Sequence, residues 1–343
     1  MENLEKKWDS LPILDLSLWE RGTSQQRERF QEDLREIAHE LGFFYLIGHG
    51  IPSESIQVAL NVSRKFFDLP DEEKLKIEMV HSPHFRGYNR VGAERTLGLP
   101  DFREQLDIGA ERPSHSEKWN SEVWSRLQGP NQWPESFPEF RKIISSYQKS
   151  AADLAVRLIK AFVAALGQKE EVFDSILGES AHQLLKVIRY PGREKTESHQ
   201  GVGAHKDGGF VTILLQDERE GLEVEHGGEW IRVPPIRDSF VVNIGELLEL
   251  ASDGYLRATV HRAIVPPEGT DRISIGYFYS ARLDADIPLL ELPENLRKGI
   301  RGLTQDPDNP LFYQVGKNLL KSRLRSHPDV AERHHPDLLH SKF

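Results

Sequence analysis

Between Leu184 and Ser280 the chain carries seven short apolar runs, LLKVIRYP, VTILLQD, LEVEH, EWIRV, SFVVNIG, RATVHRAIV and RISIGYFYS, with turn residues between them. A strand this short cannot satisfy its own backbone donors and acceptors, so the runs must pair with one another. Several short strands at this spacing predict a sandwich, barrel or jelly roll. The glycines of EHGGE suit a tight hairpin between two of the runs, with His226 at its edge. Helical patterns lie on both sides. In SQQRERFQEDLREIAHELG, residues Phe30, Leu34, Ile37, Ala38 and Leu41 recur at helical spacing, with Ser24 as candidate N-cap and Gly42 as the stop. FFYLIGHG reads as a buried strand, a second helix runs from about Ser53 to Phe67, and EFRKIISSYQKSAADLAVRLIKAFVAALG is the longest helical pattern. Another helix is expected near QVGKNLLKSRL. The expected fold class is α+β, a jelly-roll core flanked by helices.

Composition narrows the chemistry. The 343 residues include no cysteine, which excludes disulfides, thiolate zinc sites, iron–sulfur clusters and a cysteine nucleophile. Any metal must sit on His, Asp or Glu. A formal net charge of −10 argues against nucleic acid as a partner and for a small-molecule substrate. MENLEKKWDSLPILDLS lacks an apolar leader core, and no window approaches the roughly 18 apolar residues of a membrane span, so a cytoplasmic protein with no membrane partner is expected.

His205-Lys206-Asp207 opens the run that continues as GGFVTILLQD. In a strand, residues two apart share a face, so an imidazole and a carboxylate can reach one point. RATVHRAIV supplies a third donor, His261. Two imidazoles and one carboxylate form the facial set that holds non-haem Fe(II) and leaves positions open. In RISIGYF, strand parity puts Arg272, Ser274 and Phe278 on one face and Ile273, Ile275 and Tyr277 on the other. An arginine facing a β core is costly unless it meets an anion, and a guanidinium beside a hydroxyl suits a carboxylate. Divalent iron, one aspartate and one arginine are together neutralised by a dianion. A dicarboxylic 2-oxo acid fits, with one end on the metal and the other on Arg272.

The ordered set His205-x-Asp207, His261 and Arg272-x-Ser274 resembles the iron- and 2-oxoglutarate-dependent dioxygenases, in the branch of isopenicillin N synthase and the plant flavonoid and gibberellin oxygenases. The resemblance runs from about Leu11 to Leu324 and includes LPILDLS, LGFFYLIGHGIP, FFDLPDEEKLK, FRGY and VVNIGELLELASDGYLRATVHRA. It implies a double-stranded β-helix, or jelly roll, in which His205, Asp207 and His261 are the iron ligands. Arg272, Ser274 and Tyr190 would then bind the distal carboxylate of 2-oxoglutarate. Ile188 stands where plant members carry an asparagine, and IRYP is closer to the isopenicillin N synthase form, which uses no 2-oxoglutarate. The implied reaction consumes O2 and 2-oxoglutarate, releases succinate and CO2, and hydroxylates, desaturates or cyclises a small organic substrate, with ascorbate as a possible reductant. The implied organisation is one catalytic unit, 1–343, with an N-terminal region at 11–115, the jelly-roll core at 184–290 and a helical tail at 291–343, acting as a monomer.

Phe210, Phe278, Phe85, Tyr88 and Arg189 are candidate substrate contacts, and the HSPHFRGYNRVGAERT loop is the candidate lid. The charged stretch GAERTLGLPDFREQLDIGAERP hints at a polar or acidic substrate. Gly208 and Gly209 would let the backbone pass close to a bound ligand. His81 with His84, and His334 with His335 and His340, lack a carboxylate at ligand spacing and are not taken as metal sites, while His49 is expected to fix a turn. Three rival readings remain open: an oxidase of the isopenicillin N synthase or ascorbate-dependent kind, an ethylene-forming enzyme that cleaves 2-oxoglutarate, and a non-catalytic jelly roll that binds a ligand.

Overall fold

The computed structural model describes residues 8–119, 121–194, 200–303 and 309–339; His340 lies outside them. In chain order it runs β1 (Ile13–Asp15), α1 (Leu16–Arg21), α2 (Ser24–Glu40), β2 (Phe43–Ile47), α3 (Ser53–Phe67), α4 (Asp71–Leu75), β3 (Gly87–Asn89), β4 (Arg95–Thr96) and β5 (Leu99–Pro100). Then come β6 (Glu104–Gly109), α5 (Pro138–Ala165), β7 (Gln183–Pro191), β8 (Gln200–His205), β9 (Val211–Gln216), β10 (Leu222–His226), β11 (Glu229–Arg232) and β12 (Phe240–Ile244). The last elements are α6 (Glu246–Ala251), β13 (His261–Ile264), β14 (Asp271–Tyr279), α7 (Glu294–Arg297), α8 (Val315–Ser326) and α9 (Pro328–His334).

Eight strands form one sheet in the order β1-β2-β12-β9-β14-β7-β6-β3, four form a second, β11-β10-β13-β8, and β4 pairs with β5. The two larger sheets face each other. Leu222, Val224 and Ile231 of the smaller pack on Phe43, Tyr45 and Val241 of the larger, and Val202 and Ala263 pack on Ile188 and Tyr190. This is the jelly-roll sandwich, extended by strands from the N-terminal third of the chain.

The large sheet separates two environments by strand parity. Ile273, Ile275, Tyr277 and Tyr279 of β14, with Leu185 and Val187 of β7, join the main core against α2, α3 and α5. Arg272, Ser274 and Gly276 lie on the opposite face, in register with Tyr190, Ile188 and Lys186 of β7. Helix α5 covers the core with Leu154, Leu158 and Phe162, each at most 1% exposed, and each contributes roughly 2–3 kcal/mol by leaving water.

Helix α2 starts one residue from the expected cap. Thr23, not Ser24, is the N-cap: its hydroxyl accepts from Gln26 N at 3.3 Å, and Gln26 Oε1 accepts from Thr23 N at 2.9 Å. From Thr23 the glutamine falls at the third helical position, where this reciprocal box closes. Gly42 ends the turn at φ +70°, and a Cβ there would lie 2.1 Å from the Arg257 carbonyl oxygen. That glycine delivers the chain into β2, which binds β12 and so the frame of the site.

Candidate active site

In the small sheet His205 on β8 lies directly opposite His261 on β13, with ring centroids 4.3 Å apart. β8 ends at His205, so Asp207 belongs to the turn that leads to β9, and strand parity alone does not place it. Tethers do. The Asp207 carbonyl accepts from Glu246 N at 2.7 Å, and Oδ2 accepts from Thr212 Oγ1 at 2.6 Å and Asn243 Nδ2 at 2.8 Å. Thr212 and Asn243 are cross-strand partners on β9 and β12, so the large sheet aims a carboxylate that the small sheet's turn supplies. Oδ1 is left toward the imidazoles, 3.5 Å from His205 Nε2 and 3.7 Å from His261 Nε2.

The other ring nitrogens are spoken for. His205 Nδ1 lies 2.8 Å from the Gly203 carbonyl and His261 Nδ1 3.1 Å from that of Thr259. A carbonyl only accepts, so each Nδ1 holds the proton and each Nε2 presents a lone pair. The three groups offer ligand atoms within 4.8 Å of one another, a set that suits Fe(II) and leaves part of a coordination sphere open. Burial pushes His261 down to about 4, so it is neutral at ordinary pH. Burial works against the Asp207 charge, but the imidazoles of His261 and His205 and the Thr212 hydroxyl hold its carboxyl well below the usual range. Enclosure also acts to lower His205, and the neighbouring Asp207 carboxylate more than reverses it.

Arg272 is 1% exposed, and its guanidinium is held by neutral oxygens: Nη2 donates to Gln216 Oε1 at 2.8 Å and Nε to the Arg219 carbonyl at 3.2 Å. Its Cζ sits 5.0 Å from the centre of the Tyr190 ring. Beside it the Ser274 hydroxyl is fully buried and has no partner among the described residues. A buried guanidinium next to an orphaned hydroxyl is the complement of an absent carboxylate.

Comparisons with known proteins agree with this chemistry. Residues 11–136 match the family described as non-haem dioxygenase in morphine synthesis N-terminal, and residues 181–281 match the 2OG-Fe(II) oxygenase superfamily. The chain belongs to that superfamily. A 2-oxoglutarate-dependent dioxygenase, frbJ, of Dothideomycetidae sp. (strain 11243) is 36% identical, with 97% of this chain and 94% of the relative covered. The homoarginine-6-hydroxylase 2-ODD-C23.1 of Arabidopsis thaliana is 34% identical over 85% of this chain and 91% of its own. The crystal structure of a full-length Neurospora crassa protein in complex with alpha-KG and 5-formyluracil superposes with a TM-score of 0.74 at 26% identity, covering 95% of this chain and 99% of that one. The oxygenase is therefore a 2-oxoglutarate-dependent dioxygenase, an oxidoreductase that uses iron, 2-oxoglutarate and O2.

Of the substrate contacts expected from sequence, Phe278 alone shares the inner face of the oxygenase's large sheet, in register with Thr212. Phe210 points the other way, into the main core against Phe173 with centroids 5.1 Å apart. Tyr88 is also core, its hydroxyl donating to Glu104 Oε2 at 2.6 Å. Phe85 packs with Met79, Leu127, Leu320 and Val330 and stacks on His335 at 5.4 Å. Arg189 makes an ion pair with Glu104 on the outer face and lies over the Phe67 ring. Strand register sets the face for Tyr88 and Arg189, whereas Phe85 and Phe210 lie outside the strands and are placed by the clusters they pack in.

Gly209 has a different role from the one expected, since a Cβ there would lie 2.9 Å from the Tyr279 carbonyl oxygen, so it is small for β14 and not for a ligand. His84, His334 and His335 bind the carbonyls of Arg126, Val80 and Pro83 and brace the C-terminal segment. Thr212, Asn243 and Gln216 are functional supports that the sequence reading does not include; a polar residue inside VTILL or FVVNI shows that something buried needs it, but not what.

Proposed function

We propose that His205, Asp207 and His261 hold the iron, that Arg272, Ser274 and Tyr190 bind the distal carboxylate of 2-oxoglutarate, and that the oxygenase oxidises an unactivated C–H bond of a small organic substrate. The observation that carries this reading is the coincidence of unspent capacity on the facing sides of the two sheets: two Nε2 lone pairs, Asp207 Oδ1, the Ser274 hydroxyl and a guanidinium without a carboxylate partner among the described residues. The chemistry supplied when iron and 2-oxoglutarate are bound is oxidative decarboxylation to succinate and CO2, coupled to C–H oxidation.

The chain's own part is position and enclosure. Thr212 and Asn243 orient the aspartate, and the Gly203 and Thr259 carbonyls fix the tautomers of the two histidines. Arg272 and Ser274 define one end of the cosubstrate. The apolar cluster of Ile188, Tyr190, Val202 and Ala263 keeps water from the region between the sheets. Phe278 and the segment around β4 and β5 face the substrate side: a Cβ on Gly203 would lie 2.9 Å from the Thr96 methyl group. Hydroxylation is the simplest outcome, and we place the enzyme in the isopenicillin N synthase-like branch, acting as a cytoplasmic monomer without nucleic-acid or membrane partners. No helix among the described residues is long and apolar enough to cross a membrane.

The test is anaerobic titration with 2-oxoglutarate, watched by the metal-to-ligand absorption, followed by succinate measured against O2 consumed. His205→Ala should abolish iron-dependent succinate while the far-ultraviolet spectrum is unchanged; turnover retained by the folded variant removes the triad assignment. Ethylene in the headspace, or O2 consumed without succinate, would instead point to 2-oxoglutarate cleavage or to an oxidase.

A further inference from the structure

Strand β8, which ends in His205, is weakly held by its own sheet. It is the last strand of the small sheet, so among the described residues β13 alone pairs with it, and that pairing shifts register between His261 and Ala263 and again between Ala263 and Ile264. Its six residues, QGVGAH, include two glycines, and a glycine inside a strand adds backbone freedom and no side chain to pack. Close neighbours require both: a Cβ on Gly201 would lie 2.8 Å from the Tyr190 ring, and one on Gly203 2.9 Å from the Thr96 methyl group. An irregular edge strand of this composition leaves the histidine at its end free to turn unless something outside the sheet holds it.

Asp101, in the connection from β5 to β6, supplies that hold. It is 1% exposed, and its carboxylate gathers donors from two directions. Oδ1 accepts from Gly203 N at 3.2 Å and Gln200 Nε2 at 3.3 Å, both on β8, while Oδ2 accepts from Thr96 Oγ1 on β4 at 2.8 Å and from Arg103 Nη2 at 3.4 Å. The next residue continues along the same edge, with Phe102 N donating to the Gln200 carbonyl at 3.3 Å. Asp101 is itself anchored, since its N–H donates to the Glu94 carbonyl and its carbonyl accepts from Gly92 N, both at 3.0 Å. The outer edge of β8 is thus clipped at Gln200 and Gly203, and the Gly203 carbonyl is the acceptor for His205 Nδ1. An ionised acceptor makes the Gly203 bond stronger than a neutral strand partner would. His261 has no such need. It lies on β13, between β10 and β8, and its support Thr259 is bound through Oγ1 to the Leu41 carbonyl at 2.6 Å.

We propose that Asp101 is a positioning residue for the iron site: by holding Gly203 it fixes the ring orientation and tautomer of His205, and it ties both to the hairpin of β4 and β5. This rests on the reading of His205 as an iron ligand, although the ring readout below needs no metal. The experiment uses the full chain. Nitrogen NMR of the metal-free protein carrying isotope-labelled histidine, at a pH where both imidazoles are neutral, reads each tautomer, and anaerobic titration reads the affinity for Fe(II) and then the 2-oxoglutarate absorption band. In the parent both rings should carry the proton on Nδ1. Asp101→Ala should put a second tautomer on His205, leave His261 unchanged and weaken Fe(II) binding about tenfold or more, whereas Asp101→Asn, which keeps an oxygen for Gly203 N, should stay within about threefold of the parent. If Asp101→Ala does not fold, Asp101→Ser, whose hydroxyl falls short of Gly203, reads the same change. Parental His205 signals or parental Fe(II) affinity in the folded variant, an equal change at His261, or an asparagine variant as weak as the alanine would each overturn the proposal. A parent that binds no Fe(II) and gives no 2-oxoglutarate band removes the iron-site reading itself; a parent that does both, with variants that match it, removes this inference alone.

Discussion

A carboxylate that offers one oxygen to a metal works best when the other is held, and Asp207 is held twice over by Thr212 and Asn243. Asn243→Ala leaves a buried oxygen short of a donor. Anaerobic iron titration should show affinity falling about 10- to 100-fold, as for other residues that orient metal ligands; an unchanged Kd would mean that Thr212 suffices. The same reasoning applies to the cosubstrate end. Arg272→Leu removes a charge-assisted contact of about 3 kcal/mol, so the KM for 2-oxoglutarate should rise on the order of 100-fold while kcat at saturation stays near the parent value. A parental KM would show that Arg272 is not its partner. Asp207 and Arg272 were both legible in the sequence, because each is a charged residue beside an apolar run. Their neutral supports were not, because a threonine or asparagine announces its role only once the facing strand is known.

At the scale of elements, the capping of α2 and the docking of α8 and α9 can be tested without touching the site. Thr23→Ala should cost about 1 kcal/mol in chemical denaturation and Ser24→Ala close to nothing, since only the former accepts from Gln26 N. The reverse order would restore Ser24 as the cap. Phe85 sits in the cluster that joins the segment before β3 to α8 and α9. Phe85→Ala should therefore cost about 3–5 kcal/mol of stability with the KM for 2-oxoglutarate unmoved; altered substrate choice in a variant of parental stability would return Phe85 to the pocket.

For the whole molecule, the C-terminal segment is closed over the fold by groups that resist protonation. His327 has no exposed surface, and burial pushes it down to about 4 from the ordinary 6.5. Between those values the unfolded chain takes up the proton first. The His327 contribution is thus fully present above pH 6.5 and is lost as pH falls toward 4, on the order of 3 kcal/mol in all. Thermal melts across that interval should show a Tm that drops with acid, and His327→Gln should flatten the slope. A slope equal to the parent's would move the effect to other groups. The Arg126–Asp337 pair, at 2.6 Å and half in solvent, adds little to this closure.

Seven of the core strands, the helical flanks and the candidate metal and carboxylate-binding residues could be picked out from order and spacing in one chain, because alternation and helical periodicity are local properties; β8 and the short strands β3 to β6 could not. Asp207 is instructive, since its turn does not satisfy the strand argument that pairs it with His205, and the tethers from Thr212 and Asn243 place it instead. The sites that resisted reading share one cause. Whether Phe210 or Phe278 faces the inner side, whether Tyr88 lines a pocket or the core, and how Arg103, Lys186 and Arg323 come to share the carboxylates Glu94, Asp101 and Asp107 all depend on packing between segments far apart in the chain. Register and sheet order are collective outcomes of packing, and a one-residue slip exchanges the two faces, so no local pattern encodes them. HKD together with His261 suggests a metal site in the sequence; the packing of the two sheets is what brings Asp207 Oδ1 up to both imidazoles.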